Sequence, residues 1–353
     1  MNVYVHNFQK QTPSNYIAVQ FQLHQILGQI QITDHFEAAD VIIGSGQQYL
    51  EWVPTVKQQL PQTKFILYKP HQEVDIRIKN KNWFNSLKTV LRRLTGMLDY
   101  RIMDMSIYNY YDLIIADNYR LLKLFEAINP NTVYLPQIYF DETALPGEFP
   151  HNSELKIGFF GEATHLSDIV SELEYLDKKI QKKITLIYFG YGLINLNRLQ
   201  KRLANIHIKQ RSFSFDYLEL TQNTRDIDFT ICSHKQITSN YNQNSLIRAK
   251  NQPNEVSEVV KFSANTGRNH LSALLGIPFV THNIIELADE FPWLTNEYYF
   301  ENGSDLLWFI NNFHYQNLAV RFDQKNQSQQ TSQLILKRAV QQARLRLKIH
   351  ETK

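Results

Sequence analysis

The chain has 353 residues, 43% of them hydrophobic and 20% charged, which excludes a disordered or fibrous protein and exceeds what one core usually fills. Its net charge of +3 is too small to mark a nucleic-acid binder without a localised basic patch. The single cysteine, Cys232, excludes an intramolecular disulfide framework, and no apolar run is long enough to span a bilayer.

The opening MNVYVHNFQKQ has no charged stretch followed by a long apolar one, so no signal peptide is expected and a cytoplasmic location follows. NVYV (Asn2 to Val5) reads as a first strand, with a helix over about Asn15 to Gly28. DVIIGSG ends a strand in a glycine turn, a helix follows, and KFILY (Lys64 to Tyr68) is the next strand. DLIIA feeds the helix NYRLLKLFEAI, and TVYLP closes this half. These β-branched runs do not alternate with polar residues, as expected of strands buried on both faces.

Residues 138–154, rich in proline and acids and poor in periodicity, form the expected linker. Beyond it LKIGFFG is a strand ending in glycine, followed by a helix over about Leu166 to Ile180. TLIYFGYG and NIHIK are strands either side of the helix RLQKRLA, FDYLELTQ is a short helix, and DIDFTIC is a strand. Cys232 in that apolar run is expected to be a buried structural thiol. A polar loop of roughly thirty residues then leads into KFSANTGRNHLSALLGIPFV, an apolar helix that stops at Gly276 and a buried strand. A further helix is expected near Ile285 to Glu290. The glutamine- and asparagine-rich stretch Asp323 to Gln333 reads as an exposed connector to a basic closing helix from about Ser332 to Ile349.

Strand–helix–strand repetition implies α/β architecture, here two Rossmann-like doubly wound domains, 1–137 and 155–330, with 331–353 as a helix packing back toward the first. Ligands of such sheets bind at the carboxyl ends of the strands. The glycine turns form neither a G-x-G-x-x-G fingerprint nor a G-x-x-x-x-G-K-[ST] loop, and no paired histidine or cysteine motif is present. No cofactor and no metal are therefore expected. Helix-start amides carry partial positive charge, so the loop with Lys261, Ser263, Asn265, Thr266, Gly267, Arg268 and Asn269 is suited to a diphosphate.

The ordered series GFFGEATHLSD, TLIYFGYG, NIHIK, DIDFTIC, KFSANTGRNHLSALLGIPFV and ELADEFPWL resembles the donor domain of GT-B fold glycosyltransferases, especially the family-four type. DLIIADNYRLLKLFEAINPNTVYLP is similar to the closing strand–helix–strand of their acceptor domain. The resemblance implies two domains facing a central cleft, a nucleotide-sugar donor, a glycan or lipid-linked acceptor, no metal, and donor contacts at Gly161, His234 and the 261–269 loop. The family's usual pair of glutamates is replaced by Ser263 and Leu271, and the usual cations after the first donor-domain strand are missing. His71, Glu73 and His165, each after a strand end, are the candidate acid–base residues, with His6 and Asp168 weaker alternatives. From Asp75 to Arg101 the cations Arg77, Lys79, Lys81, Lys88, Arg92, Arg93 and Arg101 combine with apolar positions at helical spacing, which suits either an anionic membrane surface, met through 79–101, or a buried helix with a basic face. The leading expectation is a glycosyltransferase of surface-glycan synthesis. A non-catalytic GT-B-like subunit of a glycan assembly complex and a nucleotide-sugar epimerase are the alternatives.

Overall fold

A computed structural model of the chain describes residues 1–5, 22–44, 53–68, 105–136, 154–161, 166, 168–190, 194–214, 217–234, 248–249, 266–312 and 318–348. The chain divides into two compact units. The first takes the described residues up to 136 and from 332 onward, and the second those from 154 to 331.

The first unit is built on a six-stranded parallel sheet: β1 (Asn2–Val5), β2 (Gln31–Thr33), β3 (Val41–Gly44), β4 (Lys64–Tyr68), β5 (Leu113–Ala116) and β6 (Thr132–Tyr134), in the order β2-β1-β3-β4-β5-β6. Register pairs Val3 with both Ile32 and Val41, Ile42 with Phe65, Leu67 with Ile114, and Ile115 with Val133. Alternate strand residues (Ile42, Phe65, Leu67, Ile114) join one core with Val53 and Val56 of α1 (Val53–Gln59) and Leu121 and Phe125 of α2 (Tyr119–Glu126). Ile43, Ile66 and Ile115 are equally buried and point to the opposite face, which is why the strands read as unbroken apolar runs. Asn118 caps α2 by accepting from the Leu121 amide at 2.9 Å. The strand β2 is absent from the sequence expectation, because its three residues QIT are too few to show a pattern.

The second unit has five parallel strands, β7 (Leu155–Phe160), β8 (Ile184–Gly190), β10 (Ile206–Ser212), β11 (Phe229–Cys232) and β13 (Phe279–Thr281), in the order β10-β8-β7-β11-β13. Ile157, Phe159, Leu186, Tyr188, Phe229 and Ile231 pack with Leu173 and Leu176 of α3 (Val170–Lys179), and with Leu306, Phe309 and Ile310 of α8 (Gly303–Asn312). On the other face Phe160, Ile187 and Phe189 meet Leu220 of α5 (Tyr217–Thr224), Leu271 of α6 (Gly267–Leu274) and Leu275, which caps α6. The sheet is thus covered on both sides, as a doubly wound fold requires. Short elements complete it: the antiparallel pair β9 (Ile194–Asn195) with β12 (Arg248–Ala249), and the helices α4 (Asn197–Gln200) and α7 (Leu287–Glu290).

The closing helix α9 (Leu318–Leu347) corrects the expectation at 323–333: the supposed exposed connector is helix, beginning well before Ser332. Its polar residues misled because many of them face inward. Arg321, Gln324, Lys325, Ser328 and Ser332 are all buried, Arg321 donating to the carbonyls of Ile227 (3.1 Å) and Asp228 (2.9 Å), and Gln324 to the Tyr298 hydroxyl at 2.8 Å. Farther along the buried stripe becomes apolar, Leu336, Ala339, Ala343 and Leu347, and Arg344 caps the helical stretch 22–27 through the carbonyls of Gln25 and Ile26. The linker expected at 138–154 and the basic segment 79–101 lie outside the described residues, apart from Glu154.

Ahead of β11, Asp226 is paired bidentately by Arg211 of β10 (2.6 and 2.7 Å), and Lys156 of β7 adds a third contact at 2.8 Å. Burial alone would raise the Asp226 carboxyl, but the hydrogen bonds and charges of Arg211 and Lys156 overcome it and hold it at about 2, below its usual 3.8. A depressed carboxyl contributes stability that is fully present above the ordinary value and lost as pH falls through the folded one. Asp226→Asn should therefore cost on the order of 1 kcal/mol near neutral pH, after allowance for solvent screening. In urea titrations of both proteins that difference should shrink between about pH 4 and pH 2; a gap that stays constant across this window counts against the ion pair as its source.

Candidate functional site

Strand order in the second sheet fixes where a site can form. From β7 the chain winds outward through β8 to β10, then returns to lay β11 and β13 on the opposite side of β7. Between β7 and β11 the winding reverses, the flanking helices diverge, and a crevice opens at the carboxyl ends of the strands. Gly161 follows β7 there with φ +120°, a backbone conformation that a side chain strains, and Ser233 and His234 follow β11.

The helix α6 comes up to the same place. Its apolar positions Leu271, Leu274 and Leu275 face the core, and it ends at Gly276, whose φ of +63° sets up a Schellman cap. The two bonds of that cap are Gly276 N–H to the Ala273 carbonyl (3.0 Å) and Ile277 N–H to the Ser272 carbonyl (2.9 Å). The buried Thr230 hydroxyl on β11 donates to Ser272 Oγ at 2.7 Å, tying the helix to the strand below it.

Arg268, in the first turn of α6, lies across the reversal. Its guanidinium donates to the Ser233 carbonyl at 2.5 Å and Oγ at 3.1 Å beyond β11, and stands 5.7 Å from the centre of the Phe159 ring on β7. Asn269, wholly buried beside it, meets His234 Nε2 through Oδ1 at 2.7 Å; because that oxygen can only accept, the imidazole carries a proton on Nε2. The Asn269 Nδ2 finds no partner among the described residues. His234 also donates its backbone amide to His282 Nδ1 at 3.0 Å, so that nitrogen of His282 bears no proton. Under the helix start, Glu290 Oε2 accepts from the Thr266 hydroxyl at 2.5 Å and lies 2.6 Å from His270 Nε2.

Six of the residues expected at the donor site fall within the described chain. Gly161, His234, Thr266, Gly267, Arg268 and Asn269 are all described, and all belong to the second unit. Arg268, Asn269 and His234 are brought together directly; Thr266 turns its hydroxyl away to Glu290. Lys261, Ser263, Asn265, His71, Glu73 and His165 lie outside the described residues. Leu271, at a position where the resemblance implies an acid, packs among Phe160, Phe189 and Leu275. Ser233, His282, His270 and Glu290 were not anticipated. Among the described residues no group of three or more histidines, cysteines or acids could hold a metal.

A cation, a helix N-terminus and a buried amide converging on one crevice can hold a polyanion and stabilise negative charge that develops on it. No family model and no curated protein matches the sequence. Solved structures do. A UDP-forming α,α-trehalose-phosphate synthase from Burkholderia xenovorans superposes with a TM-score of 0.52 at 9% identity, over 99% of this chain and 81% of that one. A trehalose-6-phosphate synthase named OtsA gives 0.51 at 9% identity, over 96% and 76%. The chain has a GT-B fold. TarM is matched at TM-score 0.47 and 12% identity over 86% of this chain, which spans 54% of the TarM chain. At such identities the likeness is one of GT-B architecture.

Within that GT-B frame Cys232 is a buried thiol. Burial pushes its thiol up to about 11, the Arg268 charge opposing only in part, and its sulfur lies 3.9 Å from Ser272 Oγ. Alkylation of Cys232 in the native protein should be slower than in the urea-unfolded chain by about two orders of magnitude or more, followed by thiol-reagent absorbance. Comparable rates would show that the thiol is accessible.

Proposed function

We propose that the chain is a glycosyltransferase that takes a sugar from a nucleotide-diphosphate donor and passes it to a surface-glycan or lipid-linked acceptor. The observation that carries this reading is Arg268 lying across the strand-order reversal, bonded beyond β11 and stacked on β7, at the start of α6. Transfer from a nucleotide sugar breaks the bond between the anomeric carbon and the diphosphate oxygen, and negative charge grows on the leaving phosphate. A fixed guanidinium and the helix-start amides are pre-aimed at that charge, so they bind the transition state more tightly than the ground state. The role requires no metal. Lys261 would add a second cation from the loop before the helix. His71, Glu73 and His165 remain the proposed bases for the acceptor hydroxyl, and residues 79–101 the proposed contact with an anionic membrane. The matched synthase is UDP-forming by name, which makes UDP the first nucleotide to test.

A second reading is favoured by one residue. Leu271 packs in an apolar cluster where the resemblance implies a sugar-contacting acid, which suits a GT-B-like subunit that binds donor without turning it over.

Calorimetric titration with UDP, GDP, ADP and CDP should give saturable binding of at least one. Arg268→Ala should weaken it by about tenfold or more without lowering the thermal midpoint by more than a few degrees. Absence of heat with every nucleotide would sink the transferase reading. Binding without release of the nucleotide from its sugar in the presence of acceptor glycans would select the non-catalytic subunit.

A further inference from the structure

Thr266 stands immediately before α6, the position at which a threonine hydroxyl ordinarily accepts from the backbone amide three residues on and caps the helix. Here it makes no capping bond. The hydroxyl is turned to Glu290 Oε2, to which it donates at 2.5 Å, and in that rotamer its oxygen makes no bond with the Asn269 amide. The same carboxylate oxygen lies 2.6 Å from His270 Nε2, one helical turn beyond Thr266 on the same face. All three side chains are buried: Thr266 and Glu290 are fully inaccessible and His270 is 3% exposed. Glu290 comes from a different element, α7, and the neighbouring Phe291 packs its ring 4.6 Å from that of His270.

Such an arrangement is costly unless something uses it. A buried carboxylate must be matched by donors, and a helix start deprived of its cap loses stability. What it leaves is a first turn in which the Asn269 backbone amide is not occupied by its own cap, beside the Asn269 Nδ2 that has no partner among the described residues. Both are donors, and both sit next to Arg268.

We infer that Glu290 is a positioning residue for the diphosphate site: it holds the Thr266 hydroxyl off the first turn of α6, so that the Asn269 donors are kept for the anion. The inference rests on the reading of α6 as the diphosphate site. Glu290 acts on the site through Thr266 and His270. What matters is the reach of its acceptor oxygen, not its charge. An anion arriving at a capped helix would first have to break the cap, and a shorter side chain at 290 would release the hydroxyl to form that cap.

Reach and charge separate cleanly in two conservative variants. Glu290→Gln keeps an acceptor oxygen at the same distance and loses the charge; Glu290→Asp keeps the charge and withdraws the oxygen by one methylene. In calorimetry with UDP, E290Q should bind within about twofold of the wild type, whereas E290D should bind about fivefold more weakly, the size of one helix-cap bond. Adding Thr266→Val to E290D removes the hydroxyl that competes and should recover most of that loss. Uridine, which has no phosphates, should bind all variants alike, a readout that general loosening of the fold would not leave unchanged. The reverse order (E290D like the wild type and E290Q weak) would overturn the inference, as would a double variant no better than E290D. A wild-type protein that binds no nucleoside diphosphate overturns the donor-site reading and this inference with it; a wild type that binds, with variants that do not follow the pattern, overturns this inference alone.

Discussion

Everything at the candidate site follows from a parallel sheet having all its carboxyl ends on one edge. Hairpins cannot join such strands, so each connection carries a helix across a face, and the helices before and after the turn-back from β10 to β11 go to opposite faces. The gap between β7 and β11 is therefore a product of winding direction, and no particular side chain is needed to create it. Side chains decide what the gap can hold. Here they supply a guanidinium clamped from both sides, a buried asparagine whose Nδ2 has no partner among the described residues, and a helix whose first turn is held from below by an acid.

The fold was largely legible in the chain because buried parallel strands have a distinct signature. FTIC, KFILY and LIIA carry no polar alternation, and each is a strand buried along nearly its whole length. Glycines at strand ends and at the end of α6 gave the breaks. Less legible were elements whose evidence lies elsewhere in three dimensions. The front of α9 looks like a solvated tract in sequence, but its arginine and glutamine are buried against carbonyls and a hydroxyl of distant segments. Burial of polar groups is decided by partners, and composition does not name partners.

The candidate site divides along the same line. Arg268 and Asn269 could be picked out because a cation and small polar groups at a helix start have a chemical meaning wherever they occur. Glu290 could not, since its importance comes from lying under Thr266 and His270, which it follows in sequence by a strand and a short helix. Ser233 and His282 were missed for a related reason: the Ser233 carbonyl accepts from Arg268 of α6, and His282 Nδ1 accepts from the His234 amide beyond the neighbouring strand. The acids implied by the GT-B resemblance raise the opposite problem. Leu271, where that resemblance implies an acid, packs in an apolar cluster.

The strand β11 has only four residues, yet each of its ends is gripped by an arginine from a different helix. At the entry Arg321 of α9 takes the carbonyls of Ile227 and Asp228, and at the exit Arg268 of α6 takes that of Ser233. Slipping the strand by one residue along β7 would exchange its two faces and break both grips together. The crevice therefore has a fixed floor: the height at which a ligand meets the sheet is set by two clamps on one short ribbon, and a change at either helix is felt at the other end of the strand.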